Sequence, residues 1–294
     1  MNVCILDIGS NTIRAVVYET IGERMVMLYN KGVASMIFAK TSGGNLSAQG
    51  QNELSETIKS LMETVRDYNC DYHAFATSAF RDLANKQEVI EYIAQKNGIR
   101  ITVLTGEEES KCDYLGLRRE TGAVRGVGID LGGGSCQMMS FSEEGLLSAV
   151  SYDMGSARIK RRFVGGVLPN KDEKDKIYDY VIRHIEGFDT AGARTLFAFG
   201  GTARAILMLK RVLHADRTPD RISREELEGF INFAYTAGAV PFLKAVTRKR
   251  FDTVIVGAII ISAIADYVGV DTVLVKDCSV RDGYVIKYVL ENNY

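Results

Sequence analysis

The 294-residue sequence is poor in the groups that announce disulfides, metal clusters or flexible linkers. Its five cysteines, Cys4, Cys70, Cys112, Cys136 and Cys278, are scattered, odd in number and never spaced C-x-x-C. That pattern argues against a disulfide framework or a thiolate zinc site and fits a reducing cytoplasm. His73, His184 and His214 share no ligand spacing and read as structural. With only three prolines (Pro169, Pro219 and Pro241) and no Gly/Ser-rich run, there is no linker between the halves, so a tight two-domain body is expected. Neither sign of charge dominates: 36 basic and 37 acidic residues leave a net charge of -1. This argues against a surface built for nucleic acid or an anionic membrane, and any bound anion must meet a local site. The most apolar run, Thr253 to Ala265, is too short to span a bilayer and reads as a buried core helix. The chain opens directly on a strand pattern, without the basic region, apolar stretch and small-residue cleavage site of a signal peptide. Neither a Walker P-loop nor a Rossmann G-x-G-x-x-G is present, which removes the two commonest nucleotide folds.

What is there is an ordinary folded composition, 46% apolar and 25% charged, at a length that suits about two domains. From Val3 to Phe38, short β-branched strands separated by "ETIGER" and "YNKG" predict a three-stranded meander. Leu54, Ile58, Leu61, Val65 and Tyr68 then form one helical stripe. "YHAFAT" reads as a strand, "SAFRDLANKQEVIEYIAQKNG" as one helix stopped at Gly98, and "IRITVL" as a strand, the alternation of a parallel crossover. Thr105 is placed to cap the next helix, whose first turn carries Glu107, Glu108 and Glu109 where the helix dipole favours acids. The second half, from about Val124, repeats the plan: a strand hairpin first, then helical crossovers and a closing helix after "DTVLVK".

The repetition is sharpest in two strand ends. Asp7-Ile8-Gly9-Ser10-Asn11-Thr12 aligns with Asp130-Leu131-Gly132-Gly133-Gly134-Ser135, the mark of a duplicated hairpin. Glycines after a strand gather backbone N–H groups into a nest that binds phosphate oxygens, and a strand-end aspartate suits magnesium, a hard cation shared with substrate phosphates. Such D-x-G sequences also begin ordinary turns. A third glycine turn, Gly200-Gly201-Thr202, lies between a strand and a helix, where free N–H groups meet anions.

Six segments, "LDIGSNTIRAVVYE", "ATSAFRDLAN", "VLTGEEESKCDYLG", "GIDLGGGSCQMM", "AFGGTARAIL" and "VRDGYVI", together resemble the ordered motif set of the exopolyphosphatase and guanosine pentaphosphate phosphohydrolase (Ppx/GppA) family, in a short two-domain form. The resemblance implies an α/β fold of the actin-like ATPase (ribonuclease H-like) type: two duplicated domains, 1–122 and 123–278, flanking an interdomain cleft. The last helix, about 279–294, would return to the first domain. It also implies Mg2+-assisted hydrolysis of a phosphoanhydride. Glu109 corresponds to the catalytic glutamate, with Glu108 as its substitute if the register shifts by one. Otherwise both belong to an acidic first turn that steadies its helix. Asp7, Asp130 and Gln137 fall at metal positions. Ser10, Asn11, Gly132, Gly133, Gly134, Ser135, Gly200, Gly201 and Thr202 fall at phosphate positions. Arg81 is the expected cationic phosphate contact, unless it pairs with Asp82 or Glu88. Gln137 departs from the family's glutamate and removes a charge. The implied substrate is inorganic polyphosphate or guanosine pentaphosphate. An actin-like kinase, and a sensor that binds without turnover, are the alternatives, and a homodimer is left open. Basic segments around Arg158 to Arg162 and Lys244 to Arg250 are read as solvated helix faces, or else as a track for a polyanion.

Overall fold

The computed structural model describes residues 1–9, 12–22, 24–34, 40–214 and 220–291. The chain divides into two compact units, Met1–Glu109 with Tyr284–Tyr294, and Ser110–Gly283.

The first unit opens with an antiparallel meander of β1 (Asn2–Ile8), β2 (Thr12–Ile21) and β3 (Arg24–Ala34). "YNKG" does not break the meander as its composition suggested. It runs through β3, because Gly32 lies opposite Arg14 and its missing side chain leaves room for the Arg14 guanidinium and the Thr12 methyl. A small hairpin of β4 (Thr41–Ser42) and β5 (Asn45–Leu46) leads into α1 (Ala48–Thr64), which buries Leu54, Ile58 and Leu61 along the expected stripe. After β6 (Asp71–Ala76), the single helix expected over 78–98 is two helices, α2 (Ser78–Arg81) and α3 (Lys86–Asn97). The break has a polar cause. Asn85 donates to the Leu46 carbonyl (3.1 Å) and accepts from the Leu46 N–H (2.9 Å), while the Ala84 N–H goes to Gly44 O (2.8 Å). These long-range bonds replace the helical ladder that would otherwise have run through 82–85. Gly98 stops α3 in the left-handed conformation, as expected. With β7 (Ile101–Val103) the sheet order is β3-β2-β1-β6-β7, and β1, β6 and β7 are parallel.

α4 (Gly106–Thr121) begins in the first unit, but from Ser110 it belongs to the second. Leu117 packs on Gly128, and Gly116 meets the Ser279 carbonyl. Those contacts draw the division at Glu109 and Ser110, where the sequence expectation placed it at 122 and 123. The second unit repeats the first: a meander of β8 (Gly126–Leu131), β9 (Cys136–Ser142) and β10 (Gly145–Tyr152), then α5 (Ser156–Phe163), α6 (Lys171–Ile185), β11 (Leu196–Phe199) and α7 (Gly200–His214). β12 (Arg221–Ser223), α8 (Arg224–Phe233), α9 (Ala239–Thr247), α10 (Val254–Val268) and β13 (Thr272–Val275) complete a sheet ordered β10-β9-β8-β11-β13-β12. The apolar run is α10, buried along nearly its whole length in the core of this unit. Among the described residues, no single helix is long and apolar enough to cross a membrane. α11 (Val280–Tyr284) continues into a π-helical turn over Val285–Leu290, and the Tyr284 ring stacks on Phe75 of β6 at 4.8 Å.

Candidate functional site

In each unit the candidate residues collect at the carboxyl ends of the parallel strands, the edge at which open α/β sheets bind ligands. Asp7 is the penultimate residue of β1 and lies opposite Phe75 of β6. Gly9 closes the turn that follows, its N–H donating to Thr12 O at 3.0 Å. Ser10 and Asn11 lie outside the described residues. At the ends of β6 and β7 sit Arg81 and Glu109, whose side chains meet: Arg81 Nη1 donates to Glu109 Oε2 at 2.7 Å and to the Leu104 carbonyl at 2.9 Å. Glu109 is 6% exposed. Arg81 therefore pairs with Glu109, and with neither Asp82 nor Glu88. A cavity of about 460 Å3 opens here, lined among others by Arg81, Val103, Leu104, Thr105 and Gly106.

The neighbouring glutamates have different work. Glu108 Oε2 accepts from the Thr105 N–H (2.8 Å) and hydroxyl (3.0 Å), while the Glu108 N–H donates back to Thr105 Oγ1 (3.2 Å). This reciprocal capping box fixes the start of α4. Glu108 is thus occupied as a cap, and Glu109, one residue on, is turned inward to Arg81.

In the second unit, Asp130 is penultimate in β8 and lies opposite Phe199 at the end of β11. Its Oδ1 occupies the space a side chain at Gly200 would fill, and Gly200 has φ +83°, so glycine is required there twice over. The Gly132–Ser135 loop has two faces. Its carbonyls cap α5: Gly132 O accepts from Ser156 N (3.0 Å), Gly133 O from the N–H groups of Ala157 and Arg158 (3.0 Å each) and Gly134 O from Gly155 N (3.3 Å). Arg158 Nε adds a bond to Gly134 O at 2.9 Å. Among the described residues, the N–H groups of Gly133, Gly134 and Ser135 donate to none of the protein's acceptors. Gly134 and Ser135 are buried residues, and successive amides of this kind after a strand form the type of nest that can receive an anion.

Gln137 is buried, and its amide nitrogen donates to Ser135 Oγ (2.8 Å) and Ser151 Oγ (3.0 Å), so only its carbonyl oxygen can serve as an acceptor. The Thr202 side chain faces inward, 1% exposed, its hydroxyl 3.2 Å from Ser156 Oγ and its methyl against Gly257. The Thr202 hydroxyl is thus turned into the core. Gly201 lies against the Arg250 guanidinium, at the end of a turn in which Arg248 has φ +51°. Lys160 reaches the same turn through Asp252 (2.5 Å), and Arg162 sits over the Phe163 and Tyr180 rings, so the α5 cations have partners within the protein. The sequence offered a cue to Gly155 and Ser156, a small Gly-Ser pair between a strand and an amphipathic helix, but not to their role against the glycine loop.

All five cysteines are free thiols. Burial, with Asp130 and Asp113 nearby, pushes the Cys136 thiol up, and burial carries Cys4 to about 12, so neither offers a thiolate nucleophile. Asp130, set in the cradle that Gly200 leaves, supplies the hard oxygen that magnesium prefers, and so does Asp7 in the first unit. Among the described residues, no three His, Cys, Asp or Glu side chains cluster as a metal site. An ion that completes its shell with water and phosphate oxygens needs no such cluster.

The two units are α/β repeats of one plan, each with a carboxylate, Asp7 or Asp130, at the penultimate position of its first strand. The chain belongs to the Ppx/GppA phosphatase family, whose sequence model matches residues 23–292. It is 25% identical over 304 residues to exopolyphosphatase 1 of Mycobacterium leprae, covering 98% of this chain and 89% of the relative. It is 23% identical to a bifunctional 3-dehydroquinate synthase/phosphatase of Fusobacterium nucleatum, of which it covers 44%. Its fold matches that of the Aquifex aeolicus Ppx/GppA family member with a TM-score of 0.85 at 19% identity, over 100% of this chain and 99% of that one. An exopolyphosphatase from Cytophaga hutchinsonii gives a TM-score of 0.85 at 18% identity, over 99% and 98%.

Proposed function

We propose that this family member releases terminal phosphate from inorganic polyphosphate in a reducing cytoplasm. The observation that carries the mechanism is the placement of Glu109, a buried carboxylate oriented by Arg81 while its neighbour Glu108 is spent on the helix cap. Glu109 accepts the proton of the attacking water as its oxygen bonds to the terminal phosphorus, and the anhydride P–O bond breaks, leaving its electron pair on the shortened chain. The Gly133, Gly134 and Ser135 amides donate to phosphate oxygens, joined by the backbone at Gly200 and Gly201 and by Arg250. Magnesium would be held in the second unit by Asp130, with the Gln137 carbonyl oxygen as an acceptor, and would supply compensation for the phosphate charge.

Polyphosphate is favoured because the relatives in Mycobacterium leprae and Cytophaga hutchinsonii carry the exopolyphosphatase name. Guanosine pentaphosphate is the second reading, since the same reaction removes its terminal 5'-phosphate. Phosphate release is measured with polyphosphates of several lengths and with guanosine tetra- and pentaphosphate, each with and without magnesium. Magnesium-dependent release from the polymers is expected. Release from guanosine pentaphosphate alone would transfer the assignment to the nucleotide, and release from none of them would end the hydrolase reading.

A further inference from the structure

We propose that Ser156 is a positioning residue that couples the two phosphate loops of the second unit; the inference rests on the phosphate-binding role assigned to those loops above. Ser156 is 1% exposed and stands at the start of α5, between Gly132 and Thr202. Its hydroxyl donates to Gly132 O at 3.2 Å and lies 3.2 Å from Thr202 Oγ1. A hydroxyl has one proton, so with that proton given to Gly132 O the Thr202 hydroxyl must be the donor in the second bond. The result is a directed chain from the Thr202 O–H to the Ser156 O–H to the Gly132 carbonyl.

Each end of that chain is fixed to one loop. Thr202 follows Gly201 and is held by its methyl against Gly257, and Gly132 closes its own turn through its N–H to Ser135 O at 3.0 Å. Bonds in series polarise one another, so occupying the amides of one loop strengthens the hold on the other. Gly155 makes the approach possible, because its missing side chain lets α5 start against the backbone of Gly133 and Gly134. A pair of hydroxyls serving only the core would add stability and leave the two loops independent.

The test is a double-mutant cycle in the full chain with Ser156→Ala, Thr202→Val and the pair, reading the Kd for tripolyphosphate and kcat and KM for polyphosphate. Ser223→Ala, which removes the side-chain cap of α8 far along the chain from either loop, is the stability control, followed by urea unfolding. Each single variant is expected to raise Kd and KM roughly two- to tenfold, the worth of one hydrogen bond, and the double variant no further than the worse single. Ser223→Ala is expected to lose stability with Kd and KM unchanged. Multiplying effects in the double variant, a wild-type Kd in Ser156→Ala, or an equal rise in Ser223→Ala would each overturn the coupling. Thr202→Val keeps the side chain's shape and decides the matter alone if Ser156→Ala does not fold, a wild-type Kd counting against the coupling. A wild type that binds tripolyphosphate but releases no phosphate removes the hydrolase reading and leaves the Kd cycle to judge Ser156. No binding at all sinks both.

Discussion

Gly155→Ala probes the architecture of the phosphate loop without touching a side chain that meets substrate. A methyl group built at position 155 would sit 2.5 Å from the Gly133 carbonyl oxygen and from the Gly134 carbonyl carbon. Both atoms are backbone and cannot swing aside, and real contacts of this kind are essentially never shorter than 3.0 Å, so the loop or the start of α5 must move by at least about 0.5 Å. That displacement falls on the four N–H to carbonyl bonds, 3.0 to 3.3 Å long, that join residues 155–158 to Gly132, Gly133 and Gly134. Overpacking of this type costs about 1–3 kcal/mol, and misplacing a site by an ångström costs on the order of 10²-fold in rate. The expected result is a folded protein whose kcat/KM for polyphosphate falls by about 10- to 100-fold, with urea unfolding showing a loss of about 1–3 kcal/mol. A Gly155→Ala protein with kcat/KM within twofold of wild type would refute the claim that α5 sets the geometry of the loop.

Arg81→Met keeps much of the side chain's length while removing the charge beside buried Glu109. It is expected to cost about 3 kcal/mol in urea unfolding and to lower kcat more than it raises KM; unchanged stability and kcat would remove Arg81 from the site. His73, half-buried beside the Tyr284 ring, has its pKa lowered below 6.5 by burial, against an opposing pull from Asp71. A depressed folded value means that the unfolded chain binds the proton first, so this contribution to stability is intact above about pH 6.5 and is lost as pH falls through the folded value. His73→Phe is therefore expected to lose less Tm between pH 7.5 and pH 5 than wild type, and an equal loss would contradict the assignment.

The sequence carried the architecture because the architecture is repetitive. The echo of Asp7 in Asp130 marks equivalent penultimate positions of β1 and β8, and the two sheets share the order of their first five strands. The Thr105 cap, the Gly98 stop and the α1 stripe are local signals, set within one or two turns of chain, and they were legible for that reason. What escaped the sequence depends on distant partners. Asn85 breaks a helix by bonding Leu46, 39 residues away, and Arg81 chooses Glu109, 28 residues on, over the nearer Asp82 and Glu88. The same distance hid Ser156, whose partners Gly132 and Thr202 are 24 and 46 residues away on either side. Glu108 and Glu109 looked interchangeable in sequence, and only the geometry of the capping box separates them.

The most direct measurement is the rate of phosphate release by Glu109→Gln, set beside its Kd for tripolyphosphate and its circular dichroism. If Glu109 takes the proton from water, release falls by about 10²- to 10⁴-fold, while binding stays within a few-fold of wild type and the spectrum is unchanged. A folded Glu109→Gln protein that still releases phosphate within twofold of the wild-type rate would contradict the account.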